Sequence, residues 1–132
     1  MKALTLRQPW AHAVIHGGKD IENRRWTTRY RGPLAIHTSK GMTAAEYDAA
    51  YLFCAARGLT LPPRAALTFG AIIGTVELRD CLPDDPARTW GMPGQYHWML
   101  ANARPCVPVV VRGQLSIWDV DAATQALIAG EE

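Results

Sequence analysis

The spacing of apolar residues changes along the chain, and each change predicts a different kind of element. Residues 68–78 form an apolar run rich in β-branched side chains, which is typical of a buried strand, and Gly74 inside it indicates a bulge or a close approach. Thr43 followed three residues later by Glu46 is a capping box, which predicts a long helix over residues 44–57. The chain therefore combines helices and strands.

The other predicted elements are shorter. Pro9 suits the first turn of a helix that ends at Gly17, and Asp121 suits the start of a last short helix. The remaining predicted strands are residues 3–6, 20–25, 34–37, 96–100, 107–111 and 115–120. Because these strands do not alternate regularly with helices, the pattern predicts the α+β class, as a small β-barrel or a strongly bent mixed sheet of about six strands with helices packed outside.

Length and composition narrow the class of protein. The chain has 132 residues, of which 48% are hydrophobic and 20% charged, so residues 1–132 are expected to form a single globular domain. No run approaches the roughly 18 apolar residues of a membrane span, and the first residues lack a signal-peptide pattern, so we expect a soluble cytoplasmic protein. Three widely spaced cysteines without a CxxC pair, and histidines without ligand spacing, predict no disulfide framework, no metal site and no cofactor.

The charge is distributed unevenly although the net charge is only +2. Residues 1–66 carry ten lysines and arginines against four acidic residues, whereas residues 67–132 carry four against eight. The densest basic stretch runs from Lys19 to Arg31. A local positive surface can hold an anionic ligand, but an ordinary solvated surface explains the same pattern, and charge alone does not decide between them.

The segment from Gly17 to Arg24 is the most informative part of the sequence. It places Lys19, Glu22 and Arg24 within six residues, just after the end of the first helix. In an extended strand Glu22 and Arg24 point to the same face, because side chains repeat every two residues. The other face carries Asn23 and Arg25, so the strand is polar on both faces. A strand of this kind does not suit a core, so it either forms an exposed edge or lines a water-accessible cleft.

These residues also carry a family resemblance. Gly17, Lys19, Glu22 and Arg24 match the pattern G-x-K-x-x-E-x-R without a gap. Three further sequence blocks flank the pattern: LRQPWA at residues 6–11 precedes it, and YRGPLAIH at 30–37 and GTVEL at 74–78 follow it. Over about residues 3–120 the chain resembles the ASCH domain family, a branch of the PUA-like superfamily. The resemblance implies a small PUA-like β-barrel of about six strands with a cleft at the pattern residues, and a nucleoside or RNA ligand.

The resemblance also implies a reaction. Some small bacterial members are amidohydrolases that remove the acyl group from N4-acylcytidines, and Lys19 matches their catalytic lysine. Glu77 matches their catalytic glutamate by its place in the GTVEL block. Glu22 stands where the best-known member has a threonine, and a carboxylate at this position suits general-base activation of water instead. Arg24 would orient the carboxylates or stabilise the oxyanion. Which glutamate is the base stays open, and a salt-bridge network that only supports the fold is the alternative.

Further residues are candidates for binding the substrate. Aromatic rings stack on nucleobases, and polar side chains near a helix start can hold a phosphate or the edge of a base. The predicted substrate-binding residues are Trp26, Tyr30, Trp10, Ser39, Gln8 and His37. Two other functions remain open from the sequence: a non-catalytic RNA-binding module, and a metal-independent ribonuclease in which Lys19, His37 or Tyr30 moves protons.

Overall fold

The structure is a computed structural model, and it describes residues 1–130. Within that range there are six strands and three α-helices, which confirms the α+β class. The strands are β1 (Lys2–Leu6), β2 (Ile21–Arg24), β3 (Gly32–Thr38), β4 (Ala71–Leu82), β5 (Tyr96–Val110) and β6 (Ile117–Asp119). The helices are α1 (Trp10–His16), α2 (Ala44–Ala55) and α3 (Ala122–Ile128), and a single 3₁₀ turn covers Arg64–Ala66.

The six strands form one mixed sheet that is curled but not closed. Their order is β2-β5-β4-β3-β1-β6, with β1 and β3 parallel and the other neighbours antiparallel. In a flat sheet β2 and β1, four places apart, would be separated by roughly 19 Å. Yet Arg24 Nη2 at the end of β2 donates to the Thr5 carbonyl of β1 at 2.8 Å. The sheet is therefore the strongly bent, mixed alternative, and a side chain rather than a backbone ladder bridges the gap that a closed barrel would fill.

The main core lies inside this curl. It contains Leu4, Ile36, Val76 and Trp98 from four different strands, and α1 adds Val14 to the same cluster. Burial of these side chains supplies the principal favourable free energy of folding. The curl and α1 together enclose the space into which one face of β2 points.

β5 differs from the prediction, because the two expected strands 96–100 and 107–111 form one strand of 15 residues. Pro105 and Pro108 lie inside it, and proline cannot donate to a ladder. The strand tolerates both because β2 pairs only with its first part, Tyr96–Met99, so one edge of the later part has no ladder bond to lose. A bulge accompanies Asn102, whose φ is +54°.

The capping box of α2 is confirmed. Thr43 Oγ1 accepts from the Glu46 amide at 3.1 Å, and Glu46 Oε1 accepts from the Thr43 amide at 3.0 Å. The predicted close approach at Gly74 is present too, since an added Cβ would lie 2.5 Å from the Arg104 carbonyl oxygen. Local signals of this kind depend on a few neighbouring residues, which is why they can be recognised in the sequence.

Candidate functional site

Lys19 is buried where the chain leaves α1. Its backbone amide donates to the Ala13 carbonyl at 3.1 Å, and Gly18 before it takes a φ of +74° that turns the chain back toward the core. Lys19 is only 3% exposed, and its ammonium donates to the Ile21 carbonyl. The same nitrogen lies 5.4 Å from the centre of the Trp10 ring. An amine is therefore held inside the protein, next to an aromatic face.

Glu22 and Arg24 extend this site along β2. Glu22 pairs in register with Trp98, whose side chain lies in the main core, so Glu22 also points inside the curl. Its Oε1 is 3.9 Å from Lys19 Nζ, and its Oε2 accepts from Arg24 Nε at 2.8 Å. Arg24 also donates to the Thr5 carbonyl of β1. The carboxylate is thus held between two cations, one of which is itself anchored to β1.

Burial changes the proton affinity of Lys19. Desolvation lowers the pKa of the Lys19 ammonium, and nearby Arg24 adds to this effect, while Glu22, Cys54 and Asp20 oppose it. An amine with a lowered pKa gives up its proton more readily than an exposed lysine does. A cleft of about 180 Å³, lined largely by apolar groups including Val14, borders Lys19 but not Glu22 or Arg24.

Glu77 does not join this cluster. It alternates along β4 with Val76 and Leu78, whose side chains are in the main core, so the Glu77 side chain points to the opposite face of the sheet. There it is 44% exposed and pairs with Arg79 Nη2 at 3.0 Å. The structure therefore brings Lys19, Glu22 and Arg24 together and leaves Glu77, the other predicted catalytic glutamate, apart.

The three aromatic candidates occupy different settings. Trp10 lies beside the Lys19 amine. Trp26 is 36% exposed, so part of its indole is open to solvent. Its ring meets the buried Trp98 ring edge-on, with 4.8 Å between the ring centres. The Tyr30 hydroxyl donates to the Pro33 carbonyl and braces its own loop. Trp26 is thus the most exposed of the three, and none of them lines the cleft at Lys19.

Gln8 is fully engaged by the backbone. Its amide nitrogen donates to the Thr68 carbonyl at 2.9 Å, and its amide oxygen accepts from the His12 amide at 3.0 Å. It is only 1% exposed. Its contacts join the start of α1 to the segment that precedes β4.

His37 and Ser39 lie in a second cleft, away from Lys19. The His37 ring contacts Thr5 and Trp118, on the outer face of the sheet. With Ser39 it lines a cleft of about 520 Å³ that also includes Lys40 and Arg112. The structure therefore divides the residues predicted for one site between two clefts.

Sequence reasoning missed one buried polar cluster next to the site. His97 is completely buried, with Nδ1 3.0 Å from Arg88 Nη1 and Nε2 3.1 Å from the Met92 carbonyl oxygen. Asn23 bonds the Trp90 carbonyl at 3.0 Å and the Met92 amide at 2.8 Å. These contacts hold the loop between β4 and β5 against β2. No local pattern marks the Asn23 bonds, because their partners lie about 70 residues apart in the chain.

Two further features of residues 1–130 bear on function. Within them, no three or more His, Cys, Asp or Glu side chains gather closely enough to form a metal-binding group. None of the helices in that range has both the length and the apolar character needed to span a membrane.

The fold and site together define an α+β protein of the PUA-like kind, with a Lys-Glu-Arg cluster inside a curled sheet. The ASCH domain model matches residues 4–110, and the chain belongs to the ASCH domain family. This confirms the resemblance carried by the G-x-K-x-x-E-x-R pattern and its flanking blocks.

Relatives with known names agree with this assignment. Activating signal cointegrator 1 of Mus musculus is 31% identical over 130 residues, which cover 90% of this chain and 22% of that protein. The Homo sapiens protein of the same name is 31% identical over 83 residues, covering 60% of this chain and 14% of that protein. The chain thus spans less than a quarter of the length of the curated relatives it matches.

Solved structures share the fold. The ASCH protein of Zymomonas mobilis aligns with a TM-score of 0.56 and 12% identity, covering 98% of this chain and 93% of that one. A mutant of the same protein aligns with a TM-score of 0.60 and 12% identity, covering 98% and 96%. At this identity the likeness shows a common architecture.

Proposed function

We propose that this ASCH domain binds a cytidine-type nucleoside, or an exposed RNA base, beside Lys19 and hydrolyses an N4-acyl amide from it. The observation that carries the proposal is a buried amine 3.9 Å from a carboxylate that an arginine holds in place. Buried charges of this kind are costly as mere scaffolding and are typical of sites that move protons. The family resemblance supports the same reaction, since it matches Lys19 to the catalytic lysine of N4-acylcytidine amidohydrolases.

The proposed reaction uses Glu22 as the base and Lys19 as the acid. Glu22 takes a proton from water, whose oxygen attacks the acyl carbonyl carbon and forms a tetrahedral intermediate. The Lys19 ammonium gives a proton to N4 as the C–N bond breaks, which releases the carboxylic acid and cytidine. The proton on Glu22 then returns to Lys19 across the short gap between them. Glu22 suits this role better than Glu77, which lies on the other face of β4.

The test incubates purified protein with N4-acetylcytidine and uses chromatography to detect the cytidine that is released. Lys19→Met should lower kcat/KM by about 10³-fold and Glu22→Gln by about 10²-fold, because each removes a proton-transfer group. Lys2→Met is the matched control, since it removes a partly exposed lysine that pairs with Asp119 at the surface. No cytidine release by the wild type at high enzyme concentration would end the deacylase proposal.

A specific surface favours a second candidate, a non-catalytic RNA-binding module. The loop after β2 exposes Arg25, Trp26 and Arg29 within five residues. Cations next to an exposed indole can contact phosphates and stack on a base, as many single-strand binders do.

This second candidate predicts a salt-dependent affinity for single-stranded RNA. Arg25→Ala combined with Arg29→Ala should reduce the slope of log affinity against log salt by about 1.4, at about 0.7 for each phosphate that is no longer neutralised. Fluorescence anisotropy with a labelled RNA octamer measures it, and gel analysis of the same samples reports any cleavage. An unchanged slope would count against this loop as an RNA-binding surface.

A further inference from the structure

The second cleft has a separate position from the Lys19 cluster. Leu4 and Leu6 of β1 point into the main core, so Thr5 between them points outward, where it meets His37. The Thr5 carbonyl, in contrast, accepts from Arg24 of the inner site. The two sites therefore lie back to back across the backbone of β1, and a ligand in one does not occupy the other.

The floor of this cleft is built by close contacts. His37 Nε2 lies 2.8 Å from the Val111 carbonyl oxygen, which can only accept, so Nε2 carries the proton. In the neutral ring Nδ1 then accepts from Thr5 Oγ1, 3.0 Å away. Gly113 packs on this pair so tightly that an added Cβ would lie 2.8 Å from both His37 Cε1 and Thr5 Oγ1. The segment after β5 is thereby held over the ends of β1 and β3.

The rim of the cleft is positively charged. Lys40 and Arg112 both line it, and both are exposed. No carboxylate of residues 1–130 lies within 4.0 Å of either cation. Two cations on one concave surface without paired acids favour an anionic ligand.

The two acids that share a cavity lining with Arg112 have partners of their own. Asp119 and Asp121 line an adjoining cavity that Arg112 also borders. Asp119 Oδ1 binds Lys2 Nζ at 2.8 Å, and Asp121 caps α3 by accepting from the Thr124 amide at 2.7 Å. Their charges are therefore directed toward other groups, and the cations at the cleft remain available.

We propose that the cleft between Lys40 and Arg112 is a phosphate-binding site, for the phosphate of a free nucleotide or of an RNA strand. Its volume of about 520 Å³ lies within the range of roughly 300–1,000 Å³ usual for small-molecule sites. Arg112 supplies a planar, bidentate donor and Lys40 a point charge, the two kinds of cation that bind phosphate in proteins. Ser39 and Gln114 on the same rim add neutral donors. This site does not depend on the deacylase proposal, because it uses none of the Lys19 cluster.

The test compares two pairs of substitutions that remove the same charge. Lys40→Ala with Arg112→Ala empties the cleft of cations, and Arg64→Ala with Arg104→Ala removes two exposed arginines that do not line it. None of the four side chains is buried, so both double variants should fold. The probes are cytidine 5′-monophosphate and inorganic phosphate, by calorimetry, and a labelled RNA octamer, by fluorescence anisotropy.

The cleft variant should bind at least one phosphate-bearing probe about tenfold more weakly than the wild type, while the control pair changes affinity by less than about twofold. Loss of nucleotide binding would identify a free-nucleotide site. Loss confined to the octamer, with a salt slope reduced by about 1.4, would identify an RNA backbone site. Equal weakening by both pairs, or no binding of any probe by the wild type, would overturn the proposal.

Discussion

The two faces of β2 each carry buried or partly buried polar groups, and they differ in what those groups contact. On one face Asn23 and the fully buried His97 bond mainly to backbone groups of the loop between β4 and β5, and His97 also contacts Arg88 and Asp84 of that loop. On the other, Glu22 and Arg24 form an ion pair beside the buried amine of Lys19. One strand of four residues thus holds a hydrogen-bonded structural cluster and a candidate reaction site back to back.

The difference has an energetic meaning. A buried neutral group that makes its hydrogen bonds contributes about 1 kcal/mol for each bond, and costs more when a partner is removed. A buried ion pair usually costs about as much in desolvation as it gains, so apolar replacement is often neutral or stabilising. The Asn23 face is therefore expected to maintain stability, and the Glu22 face to maintain activity.

The largest expected effect on stability comes from the Asn23 face. His97→Phe should lower the free energy of unfolding by about 3 kcal/mol, because it leaves buried partners unpaired in a tightly packed place. An added Cβ on Gly91 would be within 3 Å of the His97 ring, which shows how little space the site has. Urea unfolding measures the loss, with the exposed His16→Phe as the matched control at about 0.5 kcal/mol or less.

The activity of the same variant tests the other half of the comparison. The folded fraction of His97→Phe should deacylate N4-acetylcytidine at a rate close to that of the wild type. A loss of stability no greater than that of His16→Phe would show that the two faces do not divide their roles in this way.

The sequence predicts which neighbouring side chains share a face of a strand, but it predicts poorly which distant residues meet in space. The spacing of Glu22 and Arg24 correctly predicts a shared face, because the period of a strand is a local property. Burial of Lys19 and the division of His37 from Lys19 depend on how the sheet curls, which no short segment encodes. For Glu77 a signal was present, since its apolar neighbours Val76 and Leu78 already direct it away from the core.

The stretch from Tyr96 to Val110 shows the same limit in the secondary structure. Its prolines indicate a break between two strands, and they would break a central strand. Here they lie where one edge of β5 has no ladder partner, and that edge is free of a ladder only because β2 is short. The position of a strand in the sheet, rather than its composition, decides whether proline is tolerated.

The next largest effect is a pH dependence on the Glu22 face. The pKa of Lys19 is lower in the folded protein than its usual 10.5, so the unfolded chain binds more protons between the two values. The free energy of unfolding of the wild type should therefore rise with pH relative to Lys19→Met, by at most about 1.4 kcal/mol per pH unit, and level off above 10.5.

Urea unfolding at several pH values measures this difference. Lys19→Arg is the matched control, because a guanidinium keeps its charge and should not show the rise. If the wild type instead lost stability relative to Lys19→Met as the pH rose, Lys19 would be held as a charged scaffold, and the contrast between the two faces would fail.

The smallest expected effect comes from an ion pair at the surface, which separates pairing from burial. The guanidinium of Arg7 hydrogen-bonds Glu46 and, with the Thr43 amide, lowers the pKa of Glu46 from 4.5 to about 2. The stabilisation is therefore fully present above pH 4.5 and is lost as the pH falls through about 2.

Glu46→Gln should lose this acid dependence, and Arg7→Ala should lose most of it while keeping the capping bonds to Thr43. Because surface ion pairs are weak, the acid dependence of the free energy of unfolding that Glu46→Gln removes should be smaller than the alkaline dependence that Lys19→Met removes. A larger shift at Glu46 than at Lys19 would mean that pairing, rather than burial, dominates the charged groups of this domain.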